Sequence, residues 1–267
     1  MMRRLLLHEA TIHAMPTREL RDLGDAILVH DPADPEPFWN RLAAIRWPAD
    51  TDAFDRRLTE VVVLFATLAR QPHVWPAPAH DSPPDLVARL ISNGFRDMGA
   101  GMLMVLANRS AIGSNGGMLA QGVTVERLSG LGEPAAAEVS GAIVEVLADA
   151  FEVGADRAPG VEAETTASLR HPWFTHYLVR ENGRAAAVAR RGTFDGLTYL
   201  SSIGTARWAR GRGFGRLVTE AATRDAVAAG SACTYLGVFA DNDVAIRLYE
   251  RAGFERIGDA VPDLLLV

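Results

Sequence analysis

Apolar and polar positions recur with clear periods over the second half of the chain. VTVERL, from Val123, alternates as a half-buried strand does. Residues 134–151 carry apolar side chains at Val139, Ile143, Val146, Leu147 and Ala150, the spacing of one helical face, with Pro134 suited to a first turn. Residues 161–169 read as a short second helix closed by Pro172. Strand patterns follow at 173–180, 185–191 and 197–205, separated by Glu181-Asn182-Gly183 and Asp195-Gly196, dipeptide signals for tight hairpins and antiparallel pairing. A helix is expected over 213–229, stopped by Gly230, then a strand at 233–239, a helix at 242–251, and strands at 254–257 and 264–267. The order predicts an α/β (α+β) domain with a mixed, mostly antiparallel sheet flanked by helices.

The first half echoes that ending. Residues 75–106 align with 234–265 at a constant offset of 159, which superposes Gly94-Phe95 on Gly253-Phe254. Both stretches read strand, polar turn, amphipathic helix, Gly-Phe, then a pair of strands, the mark of an internal repeat. The first copy has no Gly-rich loop; TDAFDRRLTEVVVLFATLARQ before its strand is an amphipathic helix. Between the halves, NRSAIGSNGGMLAQ is rich in Gly, Ser and Asn and interrupts the apolar periodicity. The expected organisation is therefore a smaller, truncated domain over 1–107, a linker over 108–121 and a second domain over 122–267.

Composition narrows the classes. The chain has 267 residues, 48% hydrophobic and 22% charged, which is ordinary for a globular protein. Its formal charge of −6 argues against a nucleic-acid binder. The single cysteine, Cys233, excludes an internal disulfide. No apolar run reaches the roughly 18 residues of a membrane helix, and the apolar stretch of MMRRLLLHEA is too short for a signal peptide. These features lead to an expectation of a cytoplasmic protein without a membrane partner. Every basic residue is arginine, so Schiff-base and Walker-type lysine chemistry is excluded.

The segment IGTARWARGRGFGRLVTEAATRDA, from Ile203, carries the chemistry. A strand ends near Thr205, a helix begins near Gly213, and Arg210, Gly211, Arg212, Gly213, Phe214 and Gly215 lie between. Glycines let the backbone approach a ligand, and free N–H groups at a helix start form an anion site. Arg207, Arg210, Arg212 and Arg216 add charge within ten residues. A tight turn with solvated arginines, a dinucleotide site and a coenzyme A site compete for this pattern. The dinucleotide fingerprint fails, since Arg216 stands where its last glycine belongs. Arg210-Gly211-Arg212-Gly213-Phe214-Gly215 resembles the Q/R-x-x-G-x-G/A signature of the GCN5-related N-acetyltransferase (GNAT) superfamily at every fixed position. A second signature follows, with Asn242, Tyr249, Gly253 and Phe254. The resemblance covers residues 123–267 and makes 1–107 a degenerate GNAT-like half.

The resemblance implies an N-acetyltransferase that moves an acetyl group from acetyl-CoA directly to an amine of a small molecule or peptide. It implies that the backbone from Arg210 to Gly215 holds the pyrophosphate and that the strand edge at Ile203, Gly204 and Thr205 pairs with pantetheine. It further implies that Asn242 contacts the pantetheine arm and that Tyr249 lies near the sulfur as general acid. For the acceptor's proton the chain offers Glu152, Glu162, Glu164, His171 and His176, of which Glu152 is the first choice. Trp173, Phe174 and Tyr177 are either pocket or core. Cys233, His80 and Asp81 are expected to be structural, and no metal site is expected. A catalytically silent acyl-CoA sensor is the alternative function. The first half is expected to wall an acceptor cleft or to mediate a homodimer.

Overall fold

The computed structural model describes residues 2–111 and 119–267, so 112–118 of the expected linker lie outside the described residues. The chain opens with α1 (Met2–Ala14), β1 (Glu19–Asp22), β2 (Ile27–His30), β3 (Arg41–Ala43), α2 (Thr51–Thr67), β4 (His73–Val74), α3 (Leu86–Ser92), β5 (Phe95–Asp97) and β6 (Gly101–Leu106). It continues with β7 (Val123–Leu128), α4 (Glu133–Phe151), α5 (Ala158–Arg170), β8 (Phe174–Glu181), β9 (Arg184–Phe194) and β10 (Leu197–Thr205). The last elements are α6 (Phe214–Ala228), β11 (Cys233–Phe239), α7 (Asp243–Arg251), β12 (Phe254–Val261) and β13 (Leu264–Leu266).

Two compact units result: Met1–Met102 with Phe239–Asp241 and Asp259–Val267, and Leu103–Val238 with Asn242–Gly258. The sheet of the first unit runs β1-β2-β3-β4-β13-β5, and that of the second runs β12-β6-β11-β10-β9-β8-β7. Both are mostly antiparallel; the β3–β4 and β10–β11 pairs are parallel. The division departs from the chain-order boundaries at 107 and 122. The end of the chain, β13, pairs antiparallel with β4 on one side and β5 on the other, so residues 259–267 belong to the first unit. In the second sheet β6 occupies the slot between β11 and β12.

Local chemistry accounts for the second unit's elements. Asn182 and Gly183 (φ 49° and 83°) turn β8 into β9, and Asp195 and Gly196 (φ 50° and 69°) turn β9 into β10. Two successive left-handed residues match the twist of a two-residue hairpin. Helix α4 starts behind Gly132 with a proline in its first turn, and α6 stops ahead of Gly230, which takes φ 77°. One sheet face packs on α4 and α5 through Ile143, Val146, Leu169, Leu178 and Val188. On the other face Tyr177 donates to Asp225 of α6 at 2.9 Å.

In the first unit, α2 buries Phe54, Leu58, Val61 and Phe65 along one stripe, in a cluster that includes Trp47, Val74 and Leu264. Beneath α1 sits a fully buried arginine, Arg41. Its Nη2 donates to Glu9 Oε1 at 2.7 Å, and its guanidinium lies 4.3 Å from the Phe38 ring centre. Burial alone would raise the Glu9 carboxyl, but Arg41 and His13 outweigh it and lower it from 4.5 to about 2.

The Glu9 contribution to stability is thus complete above pH 4.5 and disappears as pH falls toward 2. Denaturant titrations from pH 5 to 2.5 should show the wild type losing stability over that range, with a shallower slope in Glu9→Gln. Equal slopes would remove this pair from the acid response. Leu264→Ala should cost roughly 2–5 kcal/mol, because Leu264 is fully buried where β13 joins β4 and β5.

Candidate functional site

All residues of the candidate site lie in the second unit. Its governing feature is an opening in the sheet. Strands β10 and β11 pair only from Leu197↔Cys233 to Leu200↔Leu236, although β10 continues to Thr205 and β11 to Phe239. On its other side β10 is bulged, since its ladder with β9 jumps from Ser201↔Arg190 to Gly204↔Val188. Ser202 and Ile203 therefore oppose Ala189 alone, and Ser202 takes φ 51°. Such a bulge takes backbone groups out of the ladder and re-aims them. Gly204 is required here: a Cβ on it would lie 3.0 Å from Ala150 Cβ and 3.4 Å from Phe151 Cε2, at the end of α4.

Beyond Thr205 the chain makes a 3-10 turn at Arg207–Ala209 and then enters the Gly-Arg loop. Gly211 and Gly213 adopt φ 76° and 86°, and a Cβ on either would meet nothing within 4 Å. The left-handed backbone, not crowding, demands glycine at both. Gly213 caps α6 without a side chain, and the first intrahelical bond runs from Leu217 N–H to Gly213 O. The N–H groups ahead of Leu217 are left pointing outward at the positive end of the helix. Gly215 serves packing: a Cβ there would come within 2.9 Å of Thr205 Oγ1 and 3.3 Å of Leu248 Cδ1. It thereby brings α7 against the start of α6.

The four arginines of the segment are not equivalent. Both terminal nitrogens of Arg212 bond the Glu181 carboxylate. Arg216 Nε bonds Glu220 at 2.6 Å and Arg207 bonds Glu152 at 2.7 Å. Arg210 reaches only carbonyl oxygens, those of Thr205 and Ala150, each at 3.3 Å. Among the described residues it has no carboxylate partner, so the uncompensated charge of the loop is concentrated there.

Asn242 and Tyr249 are placed by α7. The Asn242 side chain accepts from Ala245 N–H at 3.0 Å and caps that helix. Tyr249 is buried against Phe254, and burial pushes its phenol up to about 12.

The remaining candidates are paired, buried in the core or exposed. Glu152 ends α4 in a left-handed conformation, exposed and engaged by Arg207. Glu162 is exposed on α5. His176 is buried against Ser168 Oγ at 2.7 Å, and burial followed by repulsion from Arg190 lowers it to about 3. It is a neutral core histidine. His171 is lowered by burial and stands edge-on to Trp173, which stacks on Phe194. Phe174 and Tyr177 are core. Burial raises the Cys233 thiol, against a thiolate role. Asp81 in the first unit accepts from the N–H groups of Ile45 and Ala77, a structural use. Among the described residues no group of three or more metal-ligating side chains is found, and no helix is long and apolar enough to cross a membrane. Sequence reasoning passed over Arg190 and Ser201, which meet next to the bulge. The signal was an arginine at a buried position of an otherwise small-residue strand.

Loss of the α7 cap in Asn242→Ala should cost ~1 kcal/mol, and Asn242→Asp should restore most of it. Urea titration of the three proteins reads this directly; identical midpoints would show that the cap carries no stability.

Residues 142–254 match the family model described as the acetyltransferase (GNAT) family. Among solved structures the chain is similar to a GCN5-related N-acetyltransferase from Kribbella flavida, at 22% identity and TM-score 0.69, over 97% of this chain and 93% of that one. A functionally unknown conserved protein from Staphylococcus epidermidis is similar at 14% identity and TM-score 0.68, over 94% and 95% of the two chains. A tandem GNAT protein from the clavulanic acid biosynthesis pathway is similar at 14% identity and TM-score 0.63, over 96% and 85%. At these identities the likeness is one of fold. No curated protein sequence matches the chain. The matched segment runs from α4 through the opened strand and the Gly-Arg loop to the start of β12, so residues 142–254 match the GNAT acetyltransferase family, in a chain whose fold is that of the tandem GNAT structures.

Proposed function

We propose that this chain binds acetyl-CoA in the opening between β10 and β11 and transfers the acetyl group directly to an amine. One observation carries the reading. Unpaired backbone of the bulged strand runs straight into a glycine loop with outward N–H groups and one uncompensated arginine. A pyrophosphate suits the N–H groups of Gly211 to Gly215 together with Arg210. The pantetheine amides would add a short strand to the free edge at Ile203, Gly204 and Thr205. Asn242 keeps its side-chain NH2 for the same arm while its oxygen caps α7.

The thioester carbonyl, placed at the bulge, would take a hydrogen bond from a freed backbone N–H, which stabilises the oxyanion as the amine adds. On collapse the C–S bond breaks and the electron pair leaves on sulfur. Tyr249 is the donor to that thiolate. Its raised phenol keeps the proton through the physiological range, so it acts from the protonated form and is recharged by the proton the amine loses. Glu152 is not carried forward as the base, because Arg207 holds its carboxylate at the exposed end of α4. The amine's proton passes first to water, which returns it to Tyr249. A second reading, an acyl-CoA sensor without turnover, draws on the same fact. The carboxylates first considered as bases on α4 and α5 are exposed or bound to arginine.

Thermal denaturation with CoA, acetyl-CoA and NAD tests the binding. At about 100 times Kd a ligand should add about 2.7 kcal/mol of stability, with both CoA species shifting Tm and NAD leaving it in place. Arg210→Ala should weaken CoA about tenfold. No shift with either CoA species removes the proposal. Thiol release over a panel of amines then separates enzyme from sensor. In an enzyme, Tyr249→Phe should lower kcat by about 100-fold with CoA affinity unchanged, and release with no amine would leave only the sensor.

A further inference from the structure

A buried ionic chain runs beside the bulge, and neither the Gly-Arg loop nor Tyr249 explains it. Arg190, in the middle of β9, is 3% exposed. Its cross-strand neighbour is His176, which bonds Ser168 of α5, so this face of the sheet is the one under α5. Arg190 Nη1 donates to Glu164 Oε1 of α5 at 2.7 Å, and Nε donates to Ser201 Oγ of β10 at 3.1 Å. The guanidinium lies 5.0 Å from the Phe174 ring centre.

An apolar side chain would fill this position at lower cost, since desolvating an ion pair offsets most of its attraction. What arginine adds is a directed bond to Ser201. That residue is the last of β10 in register before the ladder skips to Gly204, and the next residue, Ser202, holds the left-handed φ of 51°. A non-glycine residue in that region persists only where its surroundings hold it. Ser201 has already lost its β11 partner, because that ladder ends at Leu200. The bond from Arg190 ties the Ser201 side chain to β9 at the point where the β11 ladder ends.

We propose that Arg190, oriented by Glu164, is a positioning residue that fixes Ser201 and thereby aims the backbone of Ser202 and Ile203 at the thioester carbonyl. The role rests on the acetyl-CoA reading above. It predicts two separable effects, since the pyrophosphate cradle at 210–215 is held by other bonds. CoA binding survives loss of Arg190, whereas polarisation of the acetyl carbonyl does not.

The test compares wild type, Arg190→Met and Ser201→Ala with CoA and with acetyl-CoA carrying a 13C-labelled carbonyl. Calorimetry gives both Kd values, and difference infrared spectroscopy gives the bound carbonyl stretch. The wild type should lower the stretch relative to free acetyl-CoA. Arg190→Met should lose that shift while its CoA Kd stays within about twofold, and Ser201→Ala should lose at least half of it. An unchanged stretch in both variants overturns the role. So does a parallel loss of CoA and acetyl-CoA affinity, which marks Arg190 as a mere fold residue. Should Arg190→Met fail to fold, Ser201→Ala decides, because it removes only the hydroxyl arm. Wild-type protein that binds neither ligand overturns the cofactor reading itself, and this role with it.

Discussion

A sheet that opens must do something with the backbone groups it strands, and the second unit is arranged around one such interruption. The parallel ladder of β10 and β11 closes at Leu200 and Leu236. Its root is propped by Tyr199 and Tyr235, whose rings lie 5.0 Å apart. A Cβ on Gly237 would meet the Tyr199 hydroxyl at 2.9 Å, so glycine on β11 admits a tyrosine from β10 just where pairing stops. Above that point lies the bulge, while Gly204 lets α4, and Gly215 lets α7, pack close to the strand and loop that border the gap. Every one of these is a backbone or small-residue device, which is how an opening is kept while the surrounding core stays packed.

Electrostatics then decides which part of the opening receives an anion. A count of four arginines suggests a broad positive patch, yet three of them are compensated by Glu152, Glu181 and Glu220. Exposed pairs of this kind contribute little stability, but they hold the side chains in fixed directions and leave the helix start and Arg210 as the focus. The first unit offers a contrast. Its helix α2 is capped by Asp50, whose carboxylate accepts from Ala53 N–H at 2.9 Å. An anion of its own already occupies that helix start, and a phosphate has no place there.

What could be read from sequence was local. Asn182-Gly183 and Asp195-Gly196 specify their hairpins through the φ signs they allow, and the α4 and α6 patterns and the Gly-Arg loop stand within a few residues of where periodicity places them. The partners of the charges were not legible. Arg212 finds Glu181 and Arg190 finds Glu164 across strands and layers, pairings that leave no trace in spacing along the chain. Glu152 looked free for the same reason. Nor were β2 and β3 legible, because strands as short as Ile27–His30 and Arg41–Ala43 are buried throughout and do not alternate.

The repeat acquires its physical meaning only from the sheets. At an offset of 159, β5 matches the start of β12, and β6 matches the residues that enter β13. The matched last strands occupy matched slots, β13 between β4 and β5, and β6 between β11 and β12. Each sheet is thus finished by the strand that the other copy's sequence supplies. Strand β11 borders the opening on one side and needs β6 on its other side to pair with. Most of β6, from Leu103 on, belongs to the second unit, and it backs β11 at one wall of the opening. Loss of β6 would leave β11 with only the four paired residues that join it to β10.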